Sequence, residues 1–452
     1  MNRSFVVKTS VVAALAIALM VPVAMIRDLV AERQARRDEA VQGIAAGWGG
    51  RQTVAAPYLA VPLERRWTEA KLEVVDGKQR ETRVERSERS VVRLRADSVR
   101  WTIAAAISEK ARGIHKARVY GAKVEAHGWI WVPARLGFEP APGSSYRWGT
   151  PRLIVGVSDP KGLRAVGPLE LDATAREFEP GTGDALVTSG LSVPLPELAP
   201  AQAEPRSLEF AFSLELAGLE QIAVAPLGSA SIVAMRGDWP HPSFQGDFLP
   251  ASHAIDATGF SAEWKVSQFA GQGTERTLPS CPQACGYALQ GLGVSFIEPA
   301  GPYQRLERAS KYGFLFVGLT FAAFALVEIL RRVAVHPVQY GLVGLALAMF
   351  FLLLTALSEH LPFAAAYAIA SAACVAVISA YLRHVLRSAR LALAFGAALT
   401  ALYGLLYSLL QAEDYALLGG ACLLFALLAA VMIATRRVDW YAITATKGTA
   451  RA

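Results

Sequence analysis

The sequence predicts a membrane α-helical bundle, one N-terminal plus five C-terminal transmembrane helices, with a large β-rich extracytoplasmic domain inserted between them. Three observations carry this. From about Lys311 to Arg437 the chain reads as five apolar runs separated by short polar breaks. A further apolar run, from about Thr9 to Ile26, stands near the N-terminus. The stretch between them shows strand-like alternation punctuated by Gly and Pro.

The C-terminal runs are Tyr312–Leu330, Val338–Leu357, Phe363–Leu382, Leu391–Leu410 and Tyr415–Ala434. Each approaches the roughly 20 residues that a helix needs to cross a hydrocarbon core. Their centres hold no Asp, Glu, Lys or Arg. One such charge there would cost about 2.5–3.5 kcal/mol on an insertion scale.

Loop charge sets the expected orientation. Arg331 and Arg332 follow the first run, Arg383, Arg387 and Arg390 the third, and Arg436, Arg437, Lys447 and Arg451 the last. The connections Ser358–Pro362 and Gln411–Asp414 contain no Lys or Arg. The alternation puts the C-terminus in the cytoplasm and the start of the first run outside. Arg305, Arg308 and Lys311 sit there against the rule, which long translocated domains escape. Arg3 and Lys8 precede the N-terminal run, so that helix also starts inside and exits outside. The rival reading is a cleaved signal peptide, with Ala16-Ile17-Ala18 as a small-x-small site. Both readings leave the inserted domain outside. The expected organisation is an anchor over 1–26, a β-rich domain over 27–310, a five-helix bundle over 311–437 and a cytoplasmic tail over 438–452.

The formal net charge of +7 does not point to nucleic acid. Many basic residues flank apolar runs, and those within 64–100 are interleaved with acids, as on a solvated face. The lipid bilayer is the partner that composition implies.

Residues 27–47, rich in Arg, Glu, Gln and Ala, continue the anchor helix until Gly47-Trp48-Gly49-Gly50 stops it. Val54–Leu63 reads as an edge strand, with Pro57 and Pro62 near its ends. The charged stretch 64–90 reads as a long hairpin or a mobile loop. Strands follow at Ser90–Arg95, Val99–Ile103, Ala117–Val124, Gly128–Val132, Arg152–Val157, Ser207–Leu216, Ala230–Met235 and Glu263–Gln268. From Leu208 to Leu216 the even positions are apolar and the acids fall at odd ones, the period of a half-buried strand. A sandwich or twisted sheet follows, as one body or two lobes.

Cys281 and Cys285, outside the membrane, read as a disulfide, as free thiols or, with no nearby His pair, least readily as metal ligands. Cys374 and Cys422 read as packing residues within helices. Small residues recur every fourth position at Ala364, Ala368, Ala372, Ala376 and Ala380, and again at Ala392, Gly396, Thr400, Gly404 and Ser408. These ladders are expected to face each other across an antiparallel pair.

Polar residues gather at the two membrane surfaces. Lys311, Glu359, His360, Glu413 and Asp414 form the outer candidate cluster, able to bind a ligand or carry protons. The plainer reading is a helix cap at Asp414 and a docking rim for the outer domain. Glu328, Arg331, Arg332, His336, Gln339, Arg436 and Asp439 form the inner cluster, where charge pairing at the headgroup level is the plainer reading. Trp239-Pro-His-Pro-Ser-Phe-Gln-Gly246 reads as a rigid connection or a recognition loop. The sequence contains no Walker loop, Rossmann fingerprint, Gly-x-Ser-x-Gly elbow or His-Glu-x-x-His, so no catalytic, cofactor or metal residue is assigned.

Several stretches together resemble the CreD family, the cell-envelope-integrity inner-membrane proteins of Gram-negative bacteria. They are Pro226-Leu-Gly228, Trp239–Gly246 with Phe248-Leu-Pro250, Gly259–Trp264, Arg308–Gly313 into Leu315–Phe321, and His336-Pro-Val-Gln-Tyr340. Ser358-Glu-His360, Glu413–Leu418 and Thr435–Tyr441 complete the set. The charged segment 64–90 and the Cys pair stand outside the pattern. The resemblance implies an inner-membrane location. It also implies membership of a regulon run by a sensor kinase and response regulator, associated with envelope stress, β-lactam response and colicin tolerance. It implies no reaction. The expected function is non-enzymatic envelope maintenance through an envelope protein or glycan partner. The alternatives are a transporter or lipid-handling protein using the bundle, and a membrane enzyme with a periplasmic-face site at Glu359, His360 and Asp414.

Overall fold

The computed structural model describes residues 3–75, 78–137, 139–198, 204–267, 269, 291–296, 302–331, 335–385, 388–411 and 416–436. It forms two compact units, one of Met1–Asp38 with Pro299–Ala452 and the other of Glu39–Glu298.

The helices are α1 (Arg3–Ala18), α2 (Met20–Trp48), α3 (Pro302–Lys311), α4 (Gly313–Arg331), α5 (Pro337–Ser358), α6 (Phe363–Val385), α7 (Ala389–Gln411) and α8 (Ala416–Thr435). The first strands are β1 (Gln52–Val75), β2 (Lys78–Arg95), β3 (Ser98–Arg112), β4 (His115–Val132), β5 (Ser144–Trp148) and β6 (Arg152–Val157). Short strands β7 (Leu163–Val166), β8 (Leu169–Leu171), β9 (Thr174–Arg176), β10 (Glu179–Pro180) and β11 (Gly190–Pro194) follow. The last are β12 (Arg206–Leu219), β13 (Gln221–Ala225), β14 (Ala230–Gly237), β15 (Ser243–Gln245), β16 (Ser252–Asp256), β17 (Gly259–Val266) and β18 (Leu292–Ser295).

In the helical unit every predicted apolar run is a helix. Among the described residues, four helices are long and apolar enough to cross a membrane: Ser10–Trp48, Pro337–Ser358, Phe363–Val385 and Ala389–Gln411. These are four of the six expected spans. The two missing are α4 and α8, whose side chains are described only in part. The N-terminal helix breaks at Leu19 because Pro22 has no N–H to return to the carbonyl of Ala18. Leu19 itself is buried, packed where Gly344 of α5 lacks a side chain. The bundle core is aromatic. The Tyr403 ring lies 4.6 Å from both Phe316 and Phe350, tying α4, α5 and α7 together.

The small-residue ladders do not meet face to face along their length. Ala364, Ala368, Ala372, Ala376 and Ala380 are exposed, as are Thr400, Gly404 and Ser408. Close approach occurs at Gly396, where a Cβ would collide with Ser379. Elsewhere the ladders are the two banks of an open groove. Larger residues between them, Tyr367 and Tyr403, occupy the helix interface and hold the banks apart.

The β-rich unit is a sandwich. One sheet runs β10-β11-β6-β1-β13-β18-β15, with β2 and β5 also on β1; the other runs β16-β17-β14-β3-β4-β12-β8-β9, with β7 on β12. Alternation decides which side of each strand faces the other sheet. On β12, Leu208, Phe210, Phe212, Leu214 and Leu216 are buried while Glu209 and Glu215 are exposed. On β3, Val99, Trp101, Ile103 and Ala105 point inward. They share one core with Leu59 and Val61 of β1 and Leu153 and Val155 of β6. The unit is therefore one body, not two lobes.

The chain changes sheet at sharp corners. Between β12 and β13 it turns at Glu220, held at φ 59°. The carbonyl of Glu220 accepts from the Phe296 amide at 2.7 Å, which fastens the corner. Buried Gln52 bonds Asp159 O (3.0 Å) and Ala217 O (3.2 Å) beneath it.

The expectation of an edge strand at Val54–Leu63 is wrong. β1 is central, parallel to β13 and antiparallel to β2, β5 and β6. Pro57 is tolerated because the β1–β6 register shifts between Ala55 and Tyr58, a bulge that removes the demand for its missing N–H. Residues 64–75 and 78–90 pair as the two antiparallel arms of a hairpin, from Tyr58↔Arg95 out to Val75↔Lys78. Trp239–Gly246 is a connection that carries the chain from β14 in one sheet to β15 in the other. Arg118 stacks on Trp239 at 4.1 Å, and Phe244 packs 5.8 Å from Trp264.

Candidate functional site

The polar residues predicted to gather at the bundle ends are divided between helix-to-helix pairs and contacts within one helix. At the end where the chain leaves for the β-rich unit, Glu359 caps α5 and forms an ion pair with Arg33 of α2 at 3.5 Å. Lys311 pairs with Glu307, one turn back on α3, at 2.8 Å. That Lys311 partnership holds the exposed Glu307 carboxyl below its usual range. His360 is exposed, with its amide bonded to Leu357 O at 3.1 Å. Glu413 and Asp414 lie outside the described residues. Sequence reasoning missed Arg33 and Tyr303. Tyr303 is buried on α3, and burial together with Glu359 raises its pKa.

At the opposite end Glu328 is the hub. Its carboxylate takes the Lys8 ammonium of α1, the Tyr340 hydroxyl of α5 at 2.8 Å and the Val335 amide at 3.4 Å. His336 and Gln339 make a reciprocal cap on α5: the Val338 amide donates to His336 Nδ1 (3.3 Å), and the His336 amide donates to Gln339 Oε1 (3.0 Å). His-Pro-Val-Gln-Tyr340 is thus a helix start that also aims Tyr340 at Glu328. Arg436 is exposed, the Arg331 side chain is not described, and Arg332 and Asp439 lie outside the described residues. Lys8 and Tyr340 were visible in the sequence, but nothing local links them to Glu328. The pair Cys281 and Cys285 also lies outside the described residues.

The most buried charge in the β-rich unit was not anticipated. Asp184 accepts Arg93 Nε at 2.8 Å, Arg93 Nη2 at 2.5 Å and Tyr58 Oη at 2.7 Å. The side chains of Arg93 and Asp184 are each only 2% exposed. Arg93 and Tyr58 stand on neighbouring strands β2 and β1, and Leu186 and Val187 close over Ala55, Ala60 and Tyr58. Burial alone would push the Asp184 carboxyl up. The hydrogen bonds from Arg93 and Tyr58 outweigh it and hold the group below its ordinary value. Burial, then Asp184, raises Tyr58.

No His, Cys, Asp and Glu grouping suited to a metal occurs among the described residues. Within the helical unit these charged groups tie helix to helix, and within the β-rich unit they tie the Asp184 loop to β1 and β2. With the four long apolar helices, this arrangement defines a multi-pass membrane protein carrying an inserted β-sandwich.

The family model described as "Inner membrane protein CreD" matches residues 4–441. Inner membrane protein CreD of Escherichia coli (strain K12) is 34% identical over 429 residues, covering 95% of this chain and 92% of that protein. The chain belongs to the CreD family of inner membrane proteins.

Proposed function

We propose that this protein maintains cell-envelope integrity without catalysing a reaction, by presenting its β-sandwich to an envelope protein or glycan. In this reading α4 and α8 also cross the membrane, both termini are cytoplasmic and the sandwich is periplasmic. The observation that carries the reading is the position of β16 at the end of its sheet among the described strands. Every residue of β16 is exposed, and among the described residues it pairs on one side only, with β17. Ile255 there is 47% exposed. Beside it lie two adjoining recesses of ≈ 490 and ≈ 500 Å³ that share Arg236, Ala254 and Ser261. An open strand edge offers backbone donors and acceptors to an extended partner, and recesses beside it accept side chains. The ionisable groups buried elsewhere support the same reading, because Asp184, Glu328 and Glu359 are already engaged within the fold.

The test uses Ile255→Lys and His253→Glu on β16, against alanine substitutions at Glu359, His360 and Asp414. Loss of envelope-stress tolerance in the β16 variants, with normal insertion, is expected. Tolerance that survives both β16 changes but fails at Glu359, His360 or Asp414 would move the function to the bundle, as a transporter or enzyme. Reporter fusions near residue 150 and at the C-terminus test the orientation.

A further inference from the structure

The groove between α6 and α7 is ≈ 700 Å³ in volume. Its banks are the exposed alanines of α6 on one side and Thr400 and Gly404 of α7 on the other. Tyr367, Tyr403 and Tyr407 form its floor. The hydroxyls of the floor are drawn into bonds within the helix pair. Tyr367 donates to Tyr403 O at 2.7 Å, Tyr403 to Cys374 Sγ at 3.1 Å, and Tyr407 accepts from Gln411 at 2.8 Å. Both helices are long and apolar enough to cross a bilayer, so the groove faces hydrocarbon. Its small-residue banks let a flexible apolar chain lie close against the helix backbones.

A cation stands beyond one end of it, outside the residues that line the groove. Arg305 of α3 lies 5.6 Å over the ring of Phe363, the first residue of α6. Phe363 lies in turn 6.1 Å from Tyr367 on the groove floor. The Nε of Arg305 is buried with no hydrogen-bond partner, and among the described residues no carboxylate pairs with its guanidinium. Two described acids at this end are already taken, Glu359 by Arg33 and Glu307 by Lys311. Arg27 and Arg37 of α2 add positive charge at the same end, close enough to act on Glu307 and Tyr303. An apolar channel with a guanidinium beyond its end, unmatched by any carboxylate among the described residues, is complementary to an amphiphile with one anionic head. The planar fork of arginine matches two oxygens of a phosphate.

We propose that the α6–α7 groove binds one membrane lipid, a chain lying between the small-residue banks and its anionic phosphate headgroup held by Arg305. This goes beyond the function assigned to the sandwich and does not depend on what β16 meets.

The test is native mass spectrometry of the full-length protein released from bilayers of equal phosphatidylglycerol and phosphatidylcholine with matched chains. One phosphatidylglycerol is expected to be retained, preferred about tenfold, the scale of one charge-assisted contact. Arg305→Gln should remove the preference, and Arg305→Lys should keep part of it. Ala372→Leu fills the groove from an exposed position and should lower retention of either lipid while leaving the melting temperature unchanged. Equal retention of both lipids by the native protein, or an unaltered preference in Arg305→Gln, overturns the proposal. So does displacement of the bound lipid by soluble glycerol 3-phosphate, which would mark a free-phosphate site with no role for the chain.

Discussion

The molecule uses one polar device twice, in two different surroundings. In the sandwich, Asp184 is held by Arg93 and Tyr58 with both charged side chains 2% exposed. In the bundle, Glu328 is held by Lys8 and Tyr340, with the charged side chains 28% and 20% exposed for Lys8 and Glu328. Each is a carboxylate, a cation and a tyrosine. The difference lies in how completely the charges are removed from water. A fully buried pair must replace all its lost hydration, so the cation is a guanidinium that reaches both carboxylate oxygens. A pair at the membrane surface keeps part of its hydration, and a compact ammonium suffices. The first triad should therefore be costly to disturb and the second modest.

The largest effect is expected at Asp184. Asp184→Ala strands the Arg93 charge in an interior position and should cost about 3–5 kcal/mol. Tryptophan fluorescence reads this selectively, because eight of the nine tryptophans lie within Glu39–Glu298. Replacing both partners, Arg93→Met with Asp184→Leu, should recover much of that loss, since two apolar groups need no counter-charge. A double variant as unstable as the single one would mean that the pair itself, and not the orphaned charge, holds the loop over the sheet.

Next in size is the pH dependence of the same site. Asp184 has a folded pKa below its unfolded value. Its contribution is therefore complete above the ordinary carboxylate pKa of about 4 and fades as pH falls below that through the depressed folded value. Tyr58 is shifted upward. Its contribution is complete below the ordinary tyrosine pKa of about 10 and declines as pH rises beyond it. Melting temperatures of the native protein should drop at both limits, and those of the Arg93→Met, Asp184→Leu variant should drop less at the acid one. Parallel acid losses in the two proteins would assign the sensitivity to other carboxylates.

How much of this could be read in the chain depends on range. The helices were legible because an apolar run of bilayer length is a local signal, and each of the five C-terminal runs matches a helix closely. The alternation from Leu208 to Leu216 and the 64–90 hairpin were legible for the same reason. The position of β1 was misjudged because Pro57 is an edge signal only if the ladder is regular, and the bulge that excuses it depends on β6, about a hundred residues away. Asp184 sits in a Gly-rich loop with no periodicity, and its partner Arg93 is 91 residues distant. Glu328 was picked out, yet Lys8 is 320 residues from it. Polar positions were visible and their pairings were not, because pairing is decided by tertiary packing.

In the bundle, Glu328→Ala should cost about 1–3 kcal/mol, the scale of leaving partly buried donors unmet. It deprives Lys8, Tyr340 and the Val335 amide of one acceptor at once. Thermal stability in mild detergent, followed by aggregation because the bundle has almost no tryptophan, measures it. A loss equal to that of Asp184→Ala would erase the distinction between the two surroundings.

The smallest and sharpest prediction concerns the tyrosines, which occupy the same place in both triads. Tyr340→Phe removes one hydroxyl, 2.8 Å from Glu328, and leaves the ring stacked edge-on at 4.9 Å from Phe324 and 5.5 Å from Phe321. Glu328 keeps Lys8 and the Val335 amide, so the expected cost is about 0.5–1.5 kcal/mol. Tyr58→Phe should cost more, about 1–3 kcal/mol, because Asp184 is sealed from water and nothing replaces the lost donor. The two hydroxyl deletions change the same atoms and differ only in access to water. If they cost the same, solvent exposure is not what separates the triads. If Tyr340→Phe proves the costlier, Glu328 lies in a drier environment than its exposed fraction in the isolated chain implies, as it would with lipid packed around the α4–α5 junction.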